Sequence, residues 1–248
     1  MAEQLRRQVR TAVVWDLLGE ALTAQQAASG HDALDVVDAG GGTGGFAVPL
    51  AEQGHRVTVV DPSPDALAAL TRRASEKGVG DRVTAVQGDA AGMADLLGVG
   101  GADVVLCHGV LEVVDDPDQA LRGASAVLRS GGVASVLVAQ RYAAVLARAL
   151  AGHLAEARAV LTDPDGRWGA GDPLPRRFDE PGLLDLFERA GMRVQQVHGV
   201  RVFADLVPGA LVDDPASRRD LLDLEGVVAV HPAFRAVAGQ LHVLAGSR

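Results

Sequence analysis

The chain has a single cysteine, Cys107, so no internal disulfide framework can hold its fold. Aromatic residues make up only 3%, which leaves a core built mostly from Ala, Val and Leu; with 48% hydrophobic residues such a core can form. Long apolar runs are missing as well. Asp, Gly and Arg interrupt the Ala/Val stretches at short intervals, so no segment is expected to span a bilayer and no membrane partner is expected. No cationic start followed by an apolar stretch suggests export, and the expected location is cytoplasmic. Basic charge is in deficit, 23 Lys and Arg against 32 Asp and Glu. The net of −9 disfavours avid, sequence-independent binding to nucleic acid, yet a local basic patch leaves a specific RNA substrate open. Neither a Ser-His-Asp set nor a cluster with metal-ligand spacing stands out, and no metal is expected.

What the chain does have is glycine, concentrated where it matters. Leu34 to Gly45 reads LDVVDAGGGTGG: an apolar strand ending in Asp38, a turn through Gly40, Gly41, Gly42 and Gly44, then the helical pattern FAVPLAEQG. An α/β protein opens a nucleotide site in this way. Strand and helix then alternate. Strands are expected at residues 55–61, ending in Asp61; at 81–90, ending near Asp89; at 100–114, ending near His108; and at 133–139. The helix between the last two has Asp116 as N-cap, Pro117 in its first turn, and Gly131 and Gly132 after its end. Near-continuous apolar strands separated by helices predict a parallel sheet covered on both faces, with the ligand beyond the carboxyl ends of the strands.

One domain over residues 1–248 is expected. A helical cap covers residues 1–30; within it an amphipathic helix from Glu3 to Leu22 has Leu5, Val9, Val13, Leu17 and Leu18 on one face, with Arg6, Arg7 and Arg10 around it. Residues 141–161 read as a helix and 162–182 as a loop rich in Gly, Pro and Asp, so that 141–180 is the expected substrate lid. A helix at 182–191, a strand at 192–206, a helix around 217–230 and a last strand at 241–246 complete the chain.

The glycine loop fits two cofactors. Gly40, Gly42 and Gly45 satisfy the dinucleotide spacing G-x-G-x-x-G, whereas Asp38 with Gly40, Gly42 and Gly44 satisfies the D-x-G-x-G-x-G spacing of class I S-adenosylmethionine (SAM) methyltransferases. Asp61, at a strand end, suits ribose hydroxyls; the alternative is a helix cap, for which Ser63 is as good. Asp89 suits an adenine edge or an ordinary turn. The following order of segments, VQGDA, LCHGVLEVV, then VLRSGG before the fifth strand, resembles the class I SAM methyltransferases, with Ser130 where that family often has Pro. The resemblance implies a Rossmann-like, seven-stranded, mostly parallel sheet with an antiparallel last strand and helices on both faces.

Five segments in order, VRTAVVWDLL, VVDAGGGTGG, CHGVLEVVDDPDQAL, GVRVFADL and LLDLEGVVAV, with a terminal LHVLA, resemble the bacterial tRNA 5-carboxymethoxyuridine carboxyl methyltransferases. That resemblance implies SAM as cofactor and a modified wobble uridine in tRNA as acceptor. It places Arg10, Asp38, Gly40, Gly41, Gly42, Gly44, Asp61, Asp89, Ala90, Ala91 and His108 around SAM, with Arg10 at the methionine carboxylate and His108 beside the sulfonium. His108 lines the site, serves as a base for a hydroxyl acceptor, or only packs at the strand end; Arg201, in GVRVF, is the candidate partner of an acceptor carboxylate, or else a solvated or salt-bridged strand residue. Trp168 stacks on a base or packs on its own domain. The chain carries Ala204 and Leu206 where those enzymes have His and Tyr, and lacks their lysine-rich loop. A small-molecule carboxylate or hydroxyl is therefore the alternative acceptor; a nicotinamide-dependent oxidoreductase and a SAM-binding protein without turnover are the readings from other classes.

Overall fold

A computed structural model describes residues 2–247; the side chains of residues 2–4 and of Arg7 lie outside the described residues, and with them the Arg7 assignment. In chain order the elements are α1 (Ala2–Ser29), β1 (Asp35–Ala39), α2 (Ala47–Glu52), β2 (Arg56–Asp61), α3 (Pro64–Glu76), β3 (Val83–Gln87), α4 (Met93–Leu97), β4 (Ala102–His108), α5 (Pro117–Val127), β5 (Leu128–Ala139), α6 (Arg141–Leu150), α7 (Leu154–Thr162), α8 (Glu180–Arg189), β6 (Met192–Val200), α9 (Gly209–Asp213), α10 (Pro215–Ala229), α11 (Pro232–Arg235) and β7 (Gln240–Ser247). The strands form one seven-stranded sheet in the order β3-β2-β1-β4-β5-β7-β6. Pairing is parallel from β3 through β5, and the last strands bring the antiparallel pairing that was expected. Strand order reverses between β1 and β4, and a sheet of this kind opens its ligand crevice at such a reversal. Among the described residues no helix is long and apolar enough to cross a membrane.

The chain divides into two compact units. One comprises Ala21–Leu137, Leu184–Gln195 and Val243–Arg248. Its strands β1 and β4 are buried along nearly their whole length, which is why DVVDA and ADVVLC carry apolar residues at successive positions. Helix α3 starts where Ser63 accepts the Ala66 amide at 3.2 Å with Pro64 in the first turn, and α5 starts where Asp116 accepts the Gln119 amide at 3.0 Å. Ser63, not Asp61, is thus the cap.

The second unit comprises Met1–Glu20, Val138–Leu183 and Gln196–His242. Val9, Val212 and Leu221 form one apolar cluster in it and Val202, Val228 and Ala238 another, with Phe203 against both.

Several boundaries differ from the sequence expectation for local reasons. Helix α1 continues past Leu22 to Ser29. The expected helix at 141–161 is two helices, because Gly152 takes φ +83° and ends the first. Helix α5 stops at Val127, and Leu128 already pairs with Ala102; the register then jumps so that Val104 meets Val133, and Gly131 and Gly132 lie inside the bulged strand rather than after a helix. Strand β6 ends at Val200, six residues early, because Arg201 adopts φ +61°.

Candidate functional site

The loop after β1 is shaped by three left-handed glycines, Gly40 (φ +65°), Gly42 (φ +54°) and Gly44 (φ +80°), a conformation that side chains disfavour. Space forbids a side chain too. A Cβ on Gly40 would stand 2.5 Å from Val110 Cγ2, and one on Gly41 would meet the Asp38 carboxylate and stand 3.0 Å from Val59 Cγ1. The Gly40 amide donates to the Val60 carbonyl at 2.7 Å, and the Gly44 amide to Gly41 at 2.9 Å, so the loop is held from both sides.

Two carboxylates adjoin it, and one of them, Asp61, anchors it. Asp61 accepts the Gly42 amide on Oδ2 and the Ser63 amide on Oδ1, each at 2.9 Å. Asp38 is buried, and its Oδ2 meets no hydrogen-bond partner among the described residues. Burial, reinforced by the neighbouring Asp61 charge, pushes the Asp38 carboxyl up to about 7. A buried carboxylate left in this state is a place for a cation.

At the carboxyl ends of β1, β2 and β4 opens a cavity of about 600 Å³, within the usual range for a small-molecule site. Its walls include Gly40, Asp61, Asp89, Ala90 and Ala91 of the expected set. Asp89 also closes a turn, accepting the Gly92 amide at 2.7 Å, as its ordinary-turn reading expects. Val110, Val113, Val114, Asp115 and Gln119, which no sequence motif marks as site residues, form the wall after β4. Their signal was the apolar stretch following His108, readable as a continuing strand but folded as a turn over residues 111–113.

His108 ends β4 beside this cavity. Its Nε2 lies 2.8 Å from Ser135 Oγ and its ring meets Phe46 edge-on, with centroids 4.7 Å apart. Burial lowers its imidazole to about 4, so it is neutral at pH 7. Cys107 is fully buried and its thiol is pushed far up, as suits a core residue.

Arg10 and Arg201 belong to the second unit, where both meet Asp205: Arg10 Nε at 2.8 Å from Oδ1, and Arg201 through Nη2 to Oδ2. Arg201 lines a cavity of about 300 Å³ whose walls are mainly Ala143, Ala144, Leu146, Ala147, Leu150 and Val237, and its Nη1 donates to Gln240 at 3.3 Å. Its Nε has no hydrogen-bond partner among the described residues. Trp168 lines the same cavity, with the guanidinium carbons of Arg148 and Arg177 at 4.0 and 4.2 Å from its ring centroid. Trp168 thus packs against arginines of its own unit. Arg177 in turn grips Asp172 through two hydrogen bonds of 2.7 and 2.9 Å.

Residues 37–136 match the methyltransferase domain family. The chain is 34% identical over 199 residues, 80% of its length and 73% of the relative's, to the tRNA 5-carboxymethoxyuridine methyltransferase of Escherichia coli strain K12. Over 41% of its length it is 35% identical to a ubiquinone biosynthesis O-methyltransferase of Methylocella silvestris, of which it covers 38%. Among solved structures, magnesium protoporphyrin IX methyltransferase from Synechocystis PCC 6803 with bound S-adenosylhomocysteine superposes with a TM-score of 0.60, at 15% identity, over 98% of this chain and 83% of that one. A 1,6-didemethyltoxoflavin N1-methyltransferase of Burkholderia thailandensis, also with S-adenosylhomocysteine, gives 0.54 at 24% identity over 92% and 76%.

Proposed function

The chain belongs to the class I SAM-dependent methyltransferases, alongside the tRNA 5-carboxymethoxyuridine methyltransferases, and from that premise we propose that it methylates a carboxylate oxygen, the acceptor being the carboxylate of a modified wobble uridine in tRNA. SAM is the cofactor, and when bound it supplies a methyl group already activated by a sulfonium. The nicotinamide reading falls away with the family.

The glycine loop and the 600 Å³ cavity suit SAM in shape and charge. Gly40 lets the backbone approach the ligand, and the partnerless Asp38 oxygen offers buried negative charge to a cationic ligand. Asp61 keeps lone pairs free beyond its two amide bonds and can accept from a ribose diol. Asp89, Ala90 and Ala91 form the wall for the base. Neutral His108 borders the site without adding positive charge. Arg10 remains the proposed partner of the cofactor carboxylate, a role that requires exchange of its ion pair with Asp205.

The observation that carries the carboxylate reading is Arg201, a left-handed residue whose guanidinium lines an apolar cavity with Nε unsatisfied. A carboxylate acceptor is ionised at neutral pH and needs no general base, in keeping with a His108 that titrates near 4. Alignment and exclusion of water then supply the rate, with residues 141–180 as the lid. Such a reaction on tRNA has a cytoplasmic setting. The modest cavity and the chain's net charge of −9 favour a compact acceptor as the second reading, a small-molecule carboxylate. Incubation with methyl-labelled SAM and either tRNA carrying 5-carboxymethoxyuridine or small carboxylates separates the two. Alkali-labile label in tRNA is expected. No label in tRNA ends the RNA reading, and label in neither ends the carboxylate reading.

A further inference from the structure

Glu225, on α10, has 1% of its surface exposed, yet it is a carboxylate. Its charge is met by the main chain alone among the described contacts: Val202 donates its amide to Oε2 at 3.0 Å, while Phe203 and Ala204 donate theirs to Oε1 at 2.8 and 2.7 Å. Three successive amides converging on one anion form a nest, and a nest imposes a particular backbone path. The residue immediately before it is Arg201, at φ +61°. Gly239 closes the other side, donating its amide to the Arg201 carbonyl at 3.2 Å; a Cβ there would stand 3.1 Å from that carbonyl. Arg201 is thus held in a conformation that non-glycine residues rarely adopt by contacts on its following amides and on its own carbonyl.

We propose that Glu225 is a positioning residue for the acceptor site: by gathering the amides of residues 202–204 it fixes the left-handed turn that aims the Arg201 guanidinium at its cavity. The proposal rests on the carboxylate reading of Arg201 and adds to it the residue that sets the guanidinium's direction. Glu225 is buried and does not itself line the Arg201 cavity. A carboxylate is required because one group must accept three amides, and the neutral amide of Gln has a single acceptor oxygen.

The test is a double-mutant cycle on the full chain with Glu225→Gln and Arg201→Ala, using tRNA that carries 5-carboxymethoxyuridine and SAM. Glu225→Gln is expected to raise KM for the tRNA about tenfold with kcat largely kept, to leave SAM affinity by calorimetry within about twofold, and to speed hydrogen exchange at amides 202–204. In the Arg201→Ala background it should add nothing to KM. Should Glu225→Gln fail to fold, Glu225→Asp, which keeps the charge and shortens the reach, carries the same comparison. A KM raised by Arg201→Ala but unmoved by Glu225→Gln overturns the positioning role alone. Full additivity of the two, or SAM affinity falling in parallel, also overturns it and marks Glu225 as merely structural. An acceptor KM unmoved by Arg201→Ala overturns the carboxylate reading itself, and the positioning role with it.

Discussion

The Gly42 amide donates to the Asp61 carboxylate at 2.9 Å, tying the loop after β1 to the end of β2. One side chain therefore shapes the cofactor loop and faces the cavity. Asp61→Ala should weaken SAM binding by about 1–3 kcal/mol through lost hydrogen bonds. Because the Gly42 and Ser63 amides lose their acceptor as well, the melting temperature of the cofactor-free protein should fall too. Calorimetry with SAM and a thermal melt without it separate the two effects; unchanged affinity removes Asp61 from the site.

Gly40→Ala forces a side chain into φ +65° and towards Val110 Cγ2. The expected cost is more than about 1 kcal/mol by urea unfolding, together with a loss of SAM affinity because both residues line the cavity. A variant as stable as the parent with intact binding would show that the loop relaxes freely.

Asp38 should make SAM binding pH-dependent. Its carboxyl titrates near 7 in the folded chain against 3.8 ordinarily, so the folded state keeps a proton that the unfolded chain has lost. Its contribution to stability is fully present below about 3.8 and is lost as pH rises through about 7. Cation binding has the opposite sense, since only the ionised form attracts one. SAM affinity should therefore rise roughly tenfold per pH unit below the Asp38 pKa, levelling near 7, and Asp38→Asn should flatten the profile. Calorimetry between pH 5.5 and 7 reads the slope.

Arg201→Gly removes the guanidinium and relieves a left-handed backbone at once. It should raise the acceptor KM as Arg201→Ala does while melting at a higher temperature than Arg201→Ala, with a difference of about 1 kcal/mol. Equal melting temperatures would mean that the turn carries no strain.

Asp172→Ala strips a buried Arg177 of its bidentate partner, the side chains being 0% and 6% exposed. The loss should be about 3 kcal/mol, and cleavage by trypsin within residues 163–179 should accelerate. Asp172 is also held below the ordinary carboxylate range; burial pushes it up, but Arg177 and the Leu174 and Trp168 amides outweigh that. The loop should therefore stay protease-resistant well into mild acid.

The sheet and the cofactor loop were legible because their causes are local. Valine runs bounded by glycine made β1, β2 and β4, and Ser63 and Asp116 announced their helices. The glycines at 40, 42 and 44 could be read as a turn because few other residues take positive φ. What escaped depends on distant partners. Strand β6 looked continuous to Leu206 since nothing near Arg201 in sequence reveals that Glu225, 24 positions later, gathers the next three amides. Likewise Asp205 reads as a strand polar residue until Arg10 and Arg201 are found on its two oxygens. The wall after β4 was hidden for another reason: an apolar run looks the same whether it continues a strand or turns to face a ligand.

Trp168 gives one further consequence. The chain has only two tryptophans, and this one packs against both Arg148 and Arg177 on the wall of the cavity that Arg201 lines. Its emission is thus an optical gauge of that cavity: an acceptor that draws either guanidinium away changes the electric field on the indole, and the colour and yield of its fluorescence change with it. Acceptors could be ranked by titration in a cuvette, before any methyl group is transferred.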